Sequence, residues 1–172
     1  SAPNDRTPVL WFTPECWLRH PLSVNVLEDS NEGKFELVLG DQDIVTAEAK
    51  ANVKRVIMCS GKVYYDLLEE RRKQSITDVA IVRIEQLYPF PTQELVDVMG
   101  RYPNFKSVIW CQEEPVNQGA WNGIKHRFEA YDYAEVACVS RPAMAAPAVG
   151  SLYMHQRQQK ALVQEALGLN GD

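Results

Sequence analysis

Residues 59–72 read CSGKVYYDLLEERR. A hydrophobic run, VKRVIMCS from Val53 to Ser60, leads into Gly61 and Lys62. A helical pattern follows, from about Lys62 to Lys73. Val63, Tyr64, Leu67 and Leu68 fall on one face of that helix, and Glu69, Glu70, Arg71 and Arg72 fall mostly on the wet side. A Gly-Lys pair between a strand and a helix is how a phosphate-cradling loop ends. The spacing rejects that reading. A phosphate loop needs a glycine five positions before Gly61 and a hydroxyl after the lysine. The chain has Val56 and Val63 there. What remains is a strand–turn–helix unit whose Ser60–Gly61 turn opens a helix N-terminus. Such a turn suits either a bound anion or nothing more than a tight reversal.

The same unit recurs downstream. DVAIVRI (Asp78 to Ile84) and KSVIWCQ (Lys106 to Gln112) are buried strands, and AEVACVS (Ala134 to Ser140) is a fourth. Helices are expected over the residues after Pro91, with Thr92 as cap and Gly100 as stop, over 119–130, and over 153–167. In the last of these Leu162, Val163, Ala166 and Leu167 point inward and Gly168 ends the helix. LYPFP (Leu87 to Pro91) enforces an extended connection, because proline fixes its own backbone and disfavours helix before it. FELVLG (Phe35 to Gly40) is a short strand, and residues 41–52 read as a polar connection. Strands that are apolar on both faces and alternate with helices predict an α/β domain with helices on each side of a sheet.

At 172 residues the chain is long enough for one sizeable core. It is 45% hydrophobic and 24% charged, an ordinary globular balance. A net charge of -5 argues against nucleic acid or an anionic membrane as partner. No apolar run has the length of a membrane span, and no signal peptide is visible at the start. Cys16, Cys59, Cys111 and Cys138 form no C-x-x-C pair, which points to buried thiols in a reducing compartment. His20, His126 and His155 are scattered, with no metal-ligand spacing and hence no predicted metal site. Glu113 and Glu114 in CQEEPVNQGAW (Cys111 to Trp121) follow a strand, where α/β sites gather, but neighbours on an extended chain point opposite ways. No catalytic constellation emerges from these residues. The aromatics Trp11, Phe12 and Trp17 belong either to this chain's own core or to the end of a preceding domain.

RHPL at 19–22, VKRVIMCSGKVYYDLLEERR at 53–72, DVAIVRIEQLYPFP at 78–91 and WCQEEPVNQGAW at 110–121 together resemble one family. It is the C-terminal portion of the decarboxylating component of the 2-oxoglutarate dehydrogenase complex, with the 2-oxoadipate paralogue as the alternative. The resemblance implies a three-layer α/β/α sandwich of the transketolase C-terminal type, built on a five-stranded mixed sheet with one antiparallel strand. Phe35–Gly40 would supply that strand. It also implies a boundary: residues 1–22 would end a pyrimidine-binding domain, and residues 23–172 would form the C-terminal domain.

The full enzyme of this family uses thiamine diphosphate and magnesium to decarboxylate 2-oxoglutarate, and it succinylates the lipoyl group of a succinyltransferase core in the tricarboxylic acid cycle. Its thiamine-binding and catalytic histidine motifs have no counterpart here. The chain alone is therefore expected to hold no cofactor and no catalytic residue, acting as a structural or regulatory domain of a bacterial cytoplasmic enzyme. Its expected partners are the rest of its own chain, a homodimer mate and the succinyltransferase core. Family members hold acetyl-CoA or AMP in this domain. The positions that match here are Ser60, Lys106, Gln112 and Arg141, all near strand ends and so expected to converge. Two departures count against acetyl-CoA. Ser75–Ile76 stands where actinobacterial chains resemble D-N-R, and Arg141–Pro142 stands in place of a double arginine. Each lost charged contact would remove about 1.5–3 kcal/mol. The expectation is a weak AMP-type site or a scaffold with no effector.

Overall fold

The computed structural model describes residues 36–129, 135–144 and 152–169. Cys16, the aromatics near the start, Phe35 and the proposed boundary at 22/23 lie outside the described residues. Among the described residues ten elements follow in chain order: β1 (Val38–Leu39), α1 (Ala47–Asn52), β2 (Arg55–Cys59), α2 (Val63–Lys73), β3 (Val79–Ile84), α3 (Thr92–Met99), β4 (Ser107–Pro115), α4 (Trp121–Glu129), β5 (Val136–Arg141) and α5 (Leu152–Leu167).

The five strands make one sheet in the order β1-β3-β2-β4-β5. β2 runs parallel to both β3 and β4, and β4 parallel to β5. β1 alone is antiparallel, with Val38 opposite Ile84 and Leu39 opposite Arg83. The mixed five-stranded sheet is thus the one the resemblance implied, with an odd strand shorter than expected.

This order decides where the helices go. From β2 the chain steps to β3 on one side; from β3 it crosses back over β2 to β4, and then moves on to β5. Parallel crossovers are right-handed, so the reversal puts α2 on one face and α3 and α4 on the other. Alternation along the strands confirms two cores. Val56, Met58, Ala80, Val82, Ile84, Val108 and Trp110 are buried in one cluster with Leu95, Val98 and Met99 of α3 and Ile124 and Phe128 of α4. Ile57, Cys59, Ile81, Ile109 and Cys111 alternate with them and are buried as well. On that second face α2 and α5 pack against each other and against β3, β4 and β5.

The α2 pattern held with one correction. Val63, Tyr64, Leu67 and Leu68 are buried as expected, but so is Arg71, only 2% exposed. The reason is the connection before β2, which is not a plain polar loop. Asp41 is buried there and takes the Arg71 guanidinium on both carboxylate oxygens. Asp41 Oδ2 also accepts from the Ile81 amide at 2.7 Å, and Arg71 Nη1 donates to the Val79 carbonyl at 3.0 Å. The stretch also contains α1, capped by Thr46, whose hydroxyl accepts from the Ala49 amide at 3.1 Å. Thr92, by contrast, makes no side-chain cap. Pro91 holds the cap position of α3, and Thr92 is its first helical residue. At Gly61 φ is 77°, the left-handed conformation that glycine takes without steric cost.

Candidate functional site

In open α/β sheets ligands gather beyond the carboxyl ends of the strands, where the winding reverses. Here that point lies between β2 and β4, because α2 follows β2 on one face and α4 follows β4 on the other. Lys62 leaves the end of β2 and reaches Glu113 of β4, Nζ to Oε2, at 3.4 Å. It also reaches Asp66, one turn on in α2, at 3.7 Å. The lysine that sequence spacing refused to a phosphate loop thus faces carboxylates. Asp66 also supplies a negative charge in the first turn of α2, favourable to the helix dipole.

β4 runs three residues further than expected, to Pro115, and carries both glutamates inside the strand. They point opposite ways. Glu113 is half-buried and turned toward α2 and α5, where Gln159 Nε2 donates to its Oε2 at 3.3 Å. Glu114 is exposed. The pair does not converge.

Gln159 is the hub of the cluster. Its Nε2 also donates to Asp66 Oδ2 at 2.8 Å, and its Oε1 accepts from Arg141 Nη2 at 2.8 Å. The same Nη2 lies 3.1 Å from His155 Nε2. Arg141 ends β5 and is 6% exposed, and its Nε is buried without a hydrogen-bond partner. Lys62, Asp66, His155 and Gln159 line a groove of about 410 Å³ between α2 and α5, together with Glu69, Glu70, Lys160 and Val163.

The four matched positions do not all meet. Ser60 and Arg141 share the carboxyl end of the sheet, at β2 and β5. Lys106 lies at the opposite end. It precedes Ser107, which pairs with Arg55 at the start of β2, so the length of a strand, roughly 17 Å, separates it from Ser60. There it lines a recess with Lys54, Arg55 and Asp78. Being near a strand terminus was not enough, since a parallel strand has two ends and only one faces the site.

Gln112 is buried on the other face, alternating with Glu113, and its amide is fully used. Oε1 accepts from Trp110 Nε1 and from the Trp121 amide, each at 3.0 Å. Nε2 donates to the Gln118 carbonyl at 2.8 Å and the Pro115 carbonyl at 3.1 Å. It staples the β4–α4 loop and has no hydrogen bond left for a ligand.

Sequence reading missed His155 and Gln159. Their signal was present: 155, 159, 162 and 166 follow helical spacing, so the polar pair extends the apolar stripe of α5 by two turns. A polar residue on an inward stripe asks for a buried partner, and here the partner is Arg141.

The cysteines provide no chemistry at this site. Cys59, Cys111 and Cys138 are free thiols. Burial pushes Cys59 up to about 12 and Cys111 well above the ordinary thiol range. No group of three or more metal-ligating side chains occurs among the described residues, and no described helix is long and apolar enough to cross a membrane.

The fold and cluster define a class: a doubly wound α/β domain with an ionic network at its switch point. The 2-oxoglutarate dehydrogenase C-terminal family model matches residues 24–167, and the chain belongs to that family. It is 48% identical over 164 residues to the 2-oxoglutarate dehydrogenase E1 component of Haemophilus influenzae, covering 94% of this chain and 17% of that protein. The E1 components of Azotobacter vinelandii and Coxiella burnetii are 46% and 45% identical, again over 94% of this chain, and over 17% and 18% of theirs. The chain thus spans about a sixth of the length of these curated relatives. Among solved structures, an inactive split-gene transketolase β4 tetramer matches at 19% identity and a TM-score of 0.47, covering 69% of this chain and 39% of that one.

Proposed function

We propose that this chain is the non-catalytic C-terminal domain of a bacterial, cytoplasmic 2-oxoglutarate dehydrogenase E1 component. In that reading the whole protein uses thiamine diphosphate and magnesium held by other parts of its chain, pairs with a homodimer mate, and delivers succinyl groups to the lipoyl groups of a succinyltransferase core. The relatives named above carry the oxoglutarate name, which favours that substrate over 2-oxoadipate. The domain's own task is regulatory. It holds a phosphate-bearing effector of the AMP type at Arg141, with Ser60 at the same end of the sheet.

The observation that carries the regulatory part is Arg141. Arg141 is 6% exposed, its Nε is unpartnered, and among the described residues no carboxylate is hydrogen-bonded to its guanidinium, so it is a buried charge suited to an anion. Lys106 and Gln112 are dropped from the site for the reasons of position and saturation given above. With so few cations left, acetyl-CoA regulation is expected to be absent.

Calorimetric titration of the chain with AMP and with acetyl-CoA tests this. AMP binding that disappears in Arg141→Ala supports the reading. Sub-micromolar acetyl-CoA binding abolished by the same change overturns it. Binding of neither ligand leaves the domain a scaffold.

A further inference from the structure

The charges around Arg141 limit what it can hold. α2 contributes Lys62 and Asp66, β4 contributes Glu113, and β5 contributes Arg141 itself. Farther along the groove stand Glu69 and Glu70 of α2 and Lys160 of α5. Among the described residues near the guanidinium, two cations are balanced by two carboxylates. A dianion arriving there meets no net positive charge.

His155 of α5 can change that. Arg141 Nη2 only donates, so the His155 Nε2 at 3.1 Å must offer a lone pair, which makes the ring neutral with its proton on Nδ1. Protonation removes that lone pair. The imidazolium lets go of Nη2 and adds a positive charge beside a guanidinium whose Nε already lacks a partner. Two adjacent cations are unfavourable alone and favourable around an oxyanion, which accepts from both.

We propose that His155 is a proton-coupled binding residue: the Arg141 site takes a dianionic oxyanion of the phosphate-monoester kind together with one proton, held on His155. The inference rests on the reading of Arg141 as an anion site. Gln159 gives up its Oε1 contact to Arg141 as the anion enters and keeps Asp66 and Glu113 on Nε2, so the carboxylates stay turned away from the ligand.

Sulfate is the probe, because it remains a dianion throughout the range of about pH 5 to 8 in which an imidazole changes charge. Its binding to the intact chain is measured by calorimetry across that range, in two buffers of different ionisation enthalpy. The expected result is uptake of one proton and affinity rising up to about tenfold per unit fall in pH. His155→Gln keeps an acceptor for Arg141 but carries no proton, and its sulfate affinity should be flat with pH. Sulfate binding with no proton uptake in the native chain overturns the role of His155 while leaving the anion site standing. No sulfate binding at any pH, or binding unchanged in Arg141→Ala, overturns both. The His155 ring resonance, followed by NMR in the unsubstituted chain, gives an independent reading. At a fixed pH near 7, sulfate should move that resonance toward the imidazolium position, and an unmoved resonance refutes the coupling.

Discussion

At the scale of single residues, the clearest lesson is Arg71. Burial alone would depress its charge, yet the Asp41 and Asp43 carboxylates more than offset this and hold it firmly protonated. Asp43 bridges outward, accepting from Arg71 at 2.9 Å and from Arg72 at 2.8 and 2.7 Å. Its hydrogen bonds to Arg72, chiefly, keep its carboxyl below the ordinary range. A carboxyl depressed in the folded state stabilises fully above its unfolded value, near 3.9, and that contribution is lost as pH falls through the folded value. Asp43→Asn should therefore flatten the acid limb of a stability profile below about pH 4. The effect should stay under ~1 kcal/mol, because the pair is partly exposed and screened. The thiols give a second check. Native Cys59 and Cys111 should resist a thiol reagent at pH 8 and react fully in denaturant, since burial disfavours the thiolate that such reagents need. Rapid native modification of either would show that the α2–α5 face opens readily.

At the scale of elements, periodicity carried most of the information. The runs around Ile57, Ile81 and Ile109 were legible as strands because both faces are apolar, and the stripes of α2 and α5 because they follow helical spacing. The antiparallel role of Val38–Leu39 was legible only through family resemblance, since two residues have no period to read. Asp41 and Arg71 were not legible, because a salt bridge across 30 residues leaves no local trace in either pattern. Gln112 was ambiguous for a related reason: the end of a strand is the usual address of both a ligand contact and a loop staple. The two roles separate by experiment. Gln112→Ala strands the Trp110 indole N–H, the Trp121 amide and two carbonyls. Urea unfolding should show a loss of about 1–3 kcal/mol, while sulfate affinity at Arg141 should be unchanged. A weakened anion site with native stability would return Gln112 to the ligand.

At the scale of the whole molecule, the family match covers residues 24–167, and the chain spans about a sixth of its curated relatives. On the proposed reading, calorimetry with thiamine diphosphate and magnesium should detect no site on this chain, and 2-oxoglutarate should not be decarboxylated. A stoichiometric micromolar site would sink that expectation.

The Asp41–Arg71 clamp also has a consequence in time. β2, α2 and β3 pair residues about 24 apart, whereas the clamp joins Asp41 to Arg71 and to Ile81, closing spans of 30 and 40 residues onto surfaces that β3 and α2 must already present. Longer closures cost more chain entropy before any contact repays them. The segment carrying Asp41 and β1 should therefore dock after the β2–α2–β3 unit and leave before it. Asp41→Ala leaves the buried guanidinium with the more exposed Asp43 as its counter-ion, strands the Ile81 amide, and should cost about 3 kcal/mol. In a chevron plot nearly all of that loss should appear as faster unfolding, with the refolding arm scarcely moved. An equal slowing of refolding would instead place the clamp in the nucleus.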